Sequence, residues 1–130
     1  MPSWPARLAA GYVRLIVRRN EWGDERALAR RSRLFFGAPA LYQRLMLYGV
    51  SVRRVIAGTI HGEWIQPAEL RHSDVLLYVH GGGYVSCSAQ THRPITAALA
   101  RRLGCRVFSA DYRTAPESRF PAAFEDVVAV

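Results

Sequence analysis

Apolar residues recur at helical spacing near the start of the chain. In residues 4–19, Trp4, Leu8, Tyr12 and Leu15 fall on one side of a helix and arginines fall on the other. The first 20 residues contain no acidic residue, as in mitochondrial transit peptides, but serine is scarce. The pattern therefore predicts a structural amphipathic helix rather than a targeting segment.

Two further helices are predicted before residue 50. Asp24 is a suitable N-cap and Glu25 follows in the first turn, which predicts a helix that runs toward Phe36. Gly37-Ala38-Pro39 then interrupts the chain. A third short helix, ending at Gly49, is indicated by Leu41, Leu45 and Tyr48. Residues 1–50 are thus predicted to form a basic helical region.

The pattern changes to strands from Ser51 onward. Turn residues separate two segments of β type, Ser51–Thr59 and Gly62–Ile65. Val75–Val79 is a continuous apolar run, which is typical of a strand buried on both faces of a parallel sheet, and Arg106–Ala110 is a second buried strand. We therefore predict an α/β domain from residue 51 onward.

A helix is predicted between these last two strands. Thr91 is its expected N-cap, Pro94 suits its first turn and Gly104 its end. Its predicted apolar face consists of Ile95, Leu99 and Leu103. Residues 75–110 are therefore predicted to form a βαβ unit with a right-handed crossover.

A last amphipathic helix is predicted over Pro121–Val130. No C-cap and no polar tail follow its apolar face, which consists of Phe124, Val127, Val128 and Val130. Because a domain rarely ends inside an apolar helical face, we expect an incomplete domain.

The composition is that of a globular protein, with 130 residues, 50% hydrophobic and 22% charged. No apolar run approaches the roughly 18 residues that a membrane-spanning helix needs. Residues 1–54 contain 11 arginines and 3 acidic residues, whereas residues 55–130 contain 7 of each, and lysine is absent. One hypothesis is therefore a non-catalytic protein whose basic helices bind an anionic surface.

The cysteines and histidines give no pattern of a metal or redox site. Cys87 and Cys105 lack the spacing of such sites, and the 4 histidines include no H-x-x-x-H pair. We therefore expect free thiols, no metal, no cofactor and a cytoplasmic location.

The candidate chemistry lies in His80-Gly81-Gly82-Gly83-Tyr84, directly after a predicted strand. Consecutive glycines leave backbone N–H groups unshielded, so the loop can bind an oxyanion or a phosphate. The chain has neither G-x-G-x-x-G nor a P-loop pattern. An oxyanion hole is therefore favoured over a nucleotide-binding loop or a plain turn.

A second motif follows at a separation that fits one known family. Asp111–Asp126 reads D-Y-R-x-A-P-E-x-x-F-P-A-A-x-x-D. With the glycine run, this stretch resembles the hormone-sensitive-lipase-like branch of the α/β-hydrolases over about residues 50–130. The resemblance implies the N-terminal part of an α/β-hydrolase fold with a mostly parallel sheet. Helical cap segments in residues 1–50 would precede residues 51–130, the first half of the core.

The resemblance implies hydrolysis of carboxylic esters through an acyl-enzyme, with a small apolar ester or lactone as substrate and no nucleic acid as partner. Gly81 and Gly82 are the expected oxyanion donors in a loop that includes Gly83. His80 is expected to fix the loop rather than to act as the base. Residues expected to hold the surrounding loops are Asp111, Tyr112, Arg113 and Glu117.

The chain contains no G-x-S-x-G nucleophile elbow, and Ser86 and Ser88 lie after the glycines without one. The triad serine, acid and histidine are therefore absent, and we expect the 130-residue chain to be inactive alone. The resemblance also implies that Val75–Val79 would pair with the absent nucleophile strand, which leaves an apolar edge and poor solubility. Nothing in the pattern predicts the oligomeric state.

Overall fold

The computed structural model describes residues 3–4, 6–8, 10–11, 24–35, 40–57 and 60–130. Within the predicted first helix, Trp4 and Leu8 are helical and exposed. The rest of that prediction, including Tyr12 and Leu15, lies outside the described residues, as do Phe36 and the predicted break at Gly37-Ala38-Pro39.

Two helices precede the sheet, α1 over Glu25–Phe35 and α2 over Ala40–Met46. The Asp24 carboxylate accepts the N–H groups of Arg26 and Ala27 at 3.0 and 3.2 Å, which confirms the predicted N-cap. After α2 the chain turns at Gly49, whose φ of +73° favours glycine. The second and third predicted helices are therefore confirmed over the described residues.

Four strands form one sheet, with β1 over Val50–Ala57, β2 over Ile60–Pro67, β3 over Val75–Val79 and β4 over Arg106–Asp111. Their order is β1-β2-β4-β3. The β1–β2 and β2–β4 pairs are antiparallel, and β3–β4 is parallel. The described sheet is thus mixed. The β1–β2 pair is antiparallel because these consecutive strands are joined too closely for a parallel crossover.

Helix α3, over Arg93–Leu103, packs on one face of the sheet. The core between them consists of Ile65, Ala97, Ala100 and Val107. The predicted apolar face is wrong for Ile95 and Leu103, which are exposed. Alanine lets a helix approach a sheet closely, so the small residues rather than the large ones face the core.

The two ends of α3 differ in how well the sequence predicted them. His92, not Thr91, is the N-cap, and it makes no side-chain cap hydrogen bond. The Thr91 hydroxyl is instead bonded to the backbone of Ser88 at 2.9 Å. Pro94 in the first turn and Gly104 as a left-handed C-cap are confirmed.

Strand β3 lies at the edge of the sheet, and its outward face is exposed. Val75, Leu77 and Val79 are 43–48% exposed, whereas Leu76 and Tyr78 are half-buried. The prediction of burial on both faces is therefore wrong for the described residues, because only the face with Leu76 and Tyr78 packs against the core, while Val75, Leu77 and Val79 lie on the other face.

The last helix, α4, covers Ala122–Val128. Ala122 and Asp126 are its buried residues, whereas Phe124 and Val128 of the predicted apolar face are exposed. Among the described residues, no helix has both the length and the apolar character needed to cross a membrane.

Candidate functional site

The glycine loop leaves the end of β3 in a conformation that requires glycine at one position. Gly82 has a φ of +127° and Gly83 a φ of +63°. A Cβ at residue 82 would collide with the carbonyl oxygen of Ser86, whereas a Cβ at Gly81 would meet nothing nearer than the His92 ring at 3.9 Å. Position 82 therefore requires glycine, because a Cβ there would collide with its surroundings, whereas position 81 has room for a Cβ.

The loop closes on the carbonyl oxygen of Gly82. This oxygen accepts the N–H of Val85 at 3.2 Å, the N–H of Ser86 at 3.1 Å and the Ser86 hydroxyl at 2.9 Å. Tyr84 and Cys87 have φ values of 61° and 67°, which non-glycine residues rarely adopt. The Ser86 hydroxyl is therefore engaged inside a tightly wound loop.

The backbone N–H groups of the three glycines are suited to binding an anion. Within the described part of the chain, no acceptor takes the N–H of Gly81, Gly82 or Gly83. Gly81 and Gly83 are exposed, and Gly82 is half-buried. Free N–H groups clustered at a strand end can hold a negatively charged oxygen.

His80 lies beneath the loop and is only 3% exposed. Its Nδ1–H donates to the carbonyl of Gly81 at 2.9 Å, and its ring stacks on Tyr112 with centroids 4.1 Å apart. The Tyr112 hydroxyl donates to the His80 carbonyl at 2.6 Å. Burial raises the pKa of Tyr112, so this hydroxyl keeps its proton as a donor.

Asp111 fixes the far end of the same loop. Its Oδ1 accepts the N–H of Ala89 at 2.9 Å and lies 3.9 Å from Nε2 of His80, beyond hydrogen-bond distance. Among the described residues, Nε2 of His80 has no hydrogen-bond partner. The two motifs found in the sequence thus meet at the end of the sheet, through Asp111 and Tyr112.

Arg113 joins the segment after β4 to α4. Its N–H donates to Oδ2 of Asp126 at 2.8 Å, and its guanidinium donates to Oδ1 of the same carboxylate at 2.8 Å. These hydrogen bonds from Arg113 lower the pKa of Asp126. The contact fixes α4 against the second motif.

Glu117 has a partner that the sequence did not predict. Arg33 of α1 donates to both of its carboxylate oxygens, at 2.9 and 2.7 Å. This pairing lowers the pKa of Glu117 to about 2. No periodicity or motif indicates a contact between residues 84 positions apart, so only the fold reveals it.

A mostly apolar groove of about 370 Å³ lies between α1 and the segment after Ala115. Its lining residues are Glu25, Leu28, Val85, Ala115, Pro116, Arg119 and Phe120. The groove borders the segment after the three glycines at Val85.

A buried carboxylate on the sheet was also missed by the sequence analysis. Glu63 is 4% exposed and accepts from Arg93 at 2.8 and 2.6 Å and from Arg54 at 3.2 Å. It joins β2 to the start of α3. Within the described ranges, no group of three or more histidine, cysteine or acidic side chains could hold a metal ion.

A family described by its alpha/beta hydrolase fold matches residues 76–130. The chain is similar to an acetyl-hydrolase of Streptomyces hygroscopicus, with 45% identity over 75 residues, 58% of this chain and 25% of that protein. It is also similar to an acetyl esterase of Salmonella schwarzengrund, with 45% identity over 56 residues, 43% of this chain and 17% of that protein. The chain thus spans a quarter or less of the length of these two relatives.

Solved structures give the same fold. An esterase from the bacterial hormone-sensitive lipase family has a TM-score of 0.61 at 33% identity, over 85% of this chain and 41% of that one. An esterase of Pyrobaculum calidifontis has a TM-score of 0.64 at 27% identity, over 91% of this chain and 40% of that one. The predicted α/β-hydrolase fold is therefore confirmed.

Proposed function

Residues 76–130 belong to the α/β-hydrolase family, in the branch of the hormone-sensitive-lipase-like esterases, and from this premise we propose that the chain supplies the oxyanion hole of a carboxylic ester hydrolase. The observation that carries the proposal is the cluster of unpaired N–H groups in Gly81, Gly82 and Gly83 at the end of β3. Such groups stabilise the oxyanion of a tetrahedral intermediate, and each donor is worth about 3–4 kcal/mol of barrier.

Gly81 and Gly82 are the proposed donors, and Gly83 completes the turn. His80 is a positioning residue and not the base, because its ring is buried and its Nδ1–H is used on the Gly81 carbonyl. Asp111 and Tyr112 position the loop through Ala89 and His80. Arg113 and Glu117 hold the flanking segments to α4 and α1.

The proposed substrate is a carboxylic ester with a short acyl group, or the corresponding lactone. The names of the Streptomyces and Salmonella relatives refer to acetyl groups, which supports a short acyl chain. The apolar groove of about 370 Å³ between α1 and the Ala115 segment supports an apolar substrate. Two of its lining residues, Glu25 and Leu28, support the proposal that residues 1–50 form a cap. The proposed location is the cytoplasm.

Ester hydrolysis is tested with the product of the whole reading frame. We would sequence the coding DNA past codon 130 and expect a frame that continues into a strand and a G-x-S-x-G elbow. Its product should hydrolyse p-nitrophenyl acetate, and the variant with alanine for the elbow serine should not. An uninterrupted flanking sequence with a stop codon directly after Val130 would contradict the proposal.

The 130-residue chain alone should release no p-nitrophenol above the buffer rate, because it contains no nucleophile elbow. The matched controls are Ser86→Ala and Ser88→Ala, which remove the two serines nearest the glycine loop. A burst of p-nitrophenol that either substitution abolishes would show that the chain has its own nucleophile.

A further inference from the structure

We infer that Arg33 of α1 is a positioning residue for the glycine loop, an inference that rests on the proposed function for the meaning of that loop. Its guanidinium contacts two separate segments of the chain, at Val85 and at residues 114–117. Nε donates to the carbonyl of Val85 at 3.2 Å, and Nη2 donates to the Thr114 hydroxyl and the Ala115 carbonyl, each at 3.2 Å. The remaining contacts go to the Glu117 carboxylate.

The Val85 contact reaches the glycines in one step. The carbonyl of Val85 is held by Arg33, and the N–H of the same residue donates to the carbonyl of Gly82. A shift of Val85 therefore moves the peptide group that follows Gly82 and with it the N–H of Gly83. Arg33 in this way fixes the backbone of Gly82, one of the two proposed donors, from outside the loop.

The two segments that Arg33 bridges are also bonded to each other. The N–H of Ala115 donates to the carbonyl of Tyr84 at 2.8 Å. Arg33 reinforces this link, because its guanidinium donates to the carbonyl of Val85 on one segment and to the carbonyl of Ala115 on the other. Only a planar guanidinium has enough fixed donors for a carboxylate, two carbonyls and a hydroxyl, so lysine cannot replace it.

A second ion pair between the same two elements supplies a matched control. Arg119 donates to Glu25 at the start of α1 at 2.8 Å, and both side chains are largely exposed. This pair joins α1 to the second motif but has no hydrogen bond to the glycine loop among the described residues. Arg119→Ala therefore removes a similar charge pair without removing a loop contact.

The first test is amide hydrogen exchange of the 130-residue chain, followed at Val85, Ser86 and Ala115. Arg33→Ala should speed exchange of these amides about tenfold, as expected for a locally opened loop, and Arg119→Ala should leave them unchanged. Arg33→Lys, which retains the charge, should resemble Arg33→Ala at these amides, and it decides the matter if Arg33→Ala does not fold. Equal exchange in the unsubstituted chain and in Arg33→Lys would overturn the inference.

The second test uses the hydrolase encoded by the whole reading frame. Arg33→Lys should lower kcat about tenfold with little change in KM, because a misplaced donor weakens transition-state binding. Faster exchange without a loss of kcat would overturn the positioning role. Absence of hydrolysis in every form would refute the proposed function instead, and the exchange result would still decide whether Arg33 orders the loop.

Discussion

At the scale of single residues, the adjacent glycines Gly81 and Gly82 differ in what a methyl group would meet. Gly82 has a φ of +127°, and a Cβ there would collide with the Ser86 carbonyl. Around Gly81 the nearest atom to a Cβ is 3.9 Å away. Position 82 therefore requires the backbone conformation of glycine, whereas position 81 has room for a side chain and needs only its free N–H group.

We expect Gly82→Ala to lower the free energy of unfolding by about 1–3 kcal/mol, since it imposes a strained φ and displaces Ser86. Gly81→Ala should change it by less than about 1 kcal/mol. Urea unfolding of the two variants beside the unsubstituted chain checks both values. Equal midpoints for the two variants would mean that the loop does not hold Gly82 in this conformation.

At the scale of elements, the contact between Arg113 and Asp126 links the end of β4 to α4. Asp126 is 4% exposed and accepts both the backbone N–H and the guanidinium of Arg113. Arg113 lowers the pKa of Asp126 below its ordinary value, near 3.9. The carboxylate therefore stabilises the fold at pH values above about 4, and this contribution is lost as the pH falls through the lowered pKa.

We expect Asp126→Asn to cost about 1–3 kcal/mol of unfolding free energy at pH 7, because a buried charged hydrogen bond is replaced by a weaker one. The difference from the unsubstituted chain should shrink at pH 3 and below. Urea unfolding at several pH values measures it. Glu125→Gln, at an exposed carboxylate 3.5 Å from Arg113, is the control and should have little effect. A difference independent of pH would contradict the prediction.

The sequence predicts the features that depend on residues close together in the chain, and it misses features that depend on packing between distant residues. Strand β3 and the Gly104 C-cap follow from local pattern, and the structure has them where they were expected. The buried face of α3 was missed because Ala97 and Ala100 carry a weaker apolar signal than Ile95 and Leu103.

The candidate site shows the same difference between local and long-range interactions. The glycine run is visible as a motif, but the Arg33 contact is not, because it joins α1 to residues 52 and 84 positions away. The helix carries several arginines, and the sequence pattern does not distinguish Arg33 from the others.

At the scale of the whole molecule, the sheet has two edges of opposite character. Strand β1 carries Arg53 and Arg54, whereas β3 exposes Val75, Leu77 and Val79. Charged residues protect an edge strand from pairing with other chains, and an apolar edge invites such pairing. The asymmetry accounts for the predicted poor solubility of the 130-residue chain.

We expect Leu77→Lys to increase the monomer fraction of the chain in sedimentation velocity, since it places a charge on the apolar edge. Ile56→Lys makes the same chemical change at an exposed position of β1 and should have a smaller effect. Equal behaviour of the two variants would contradict this account.

The strand order β1-β2-β4-β3 also has a consequence for the nascent polypeptide. During translation β3 leaves the ribosome before β4, although β4 is its neighbour and lies between it and the β1–β2 hairpin. The ribosome needs about 2–6 seconds to add the residues from Val79 to Asp111. During that interval β3 has no partner strand that connects it to the β1–β2 hairpin. Its apolar residues are therefore accessible to chaperones until β4 pairs with it.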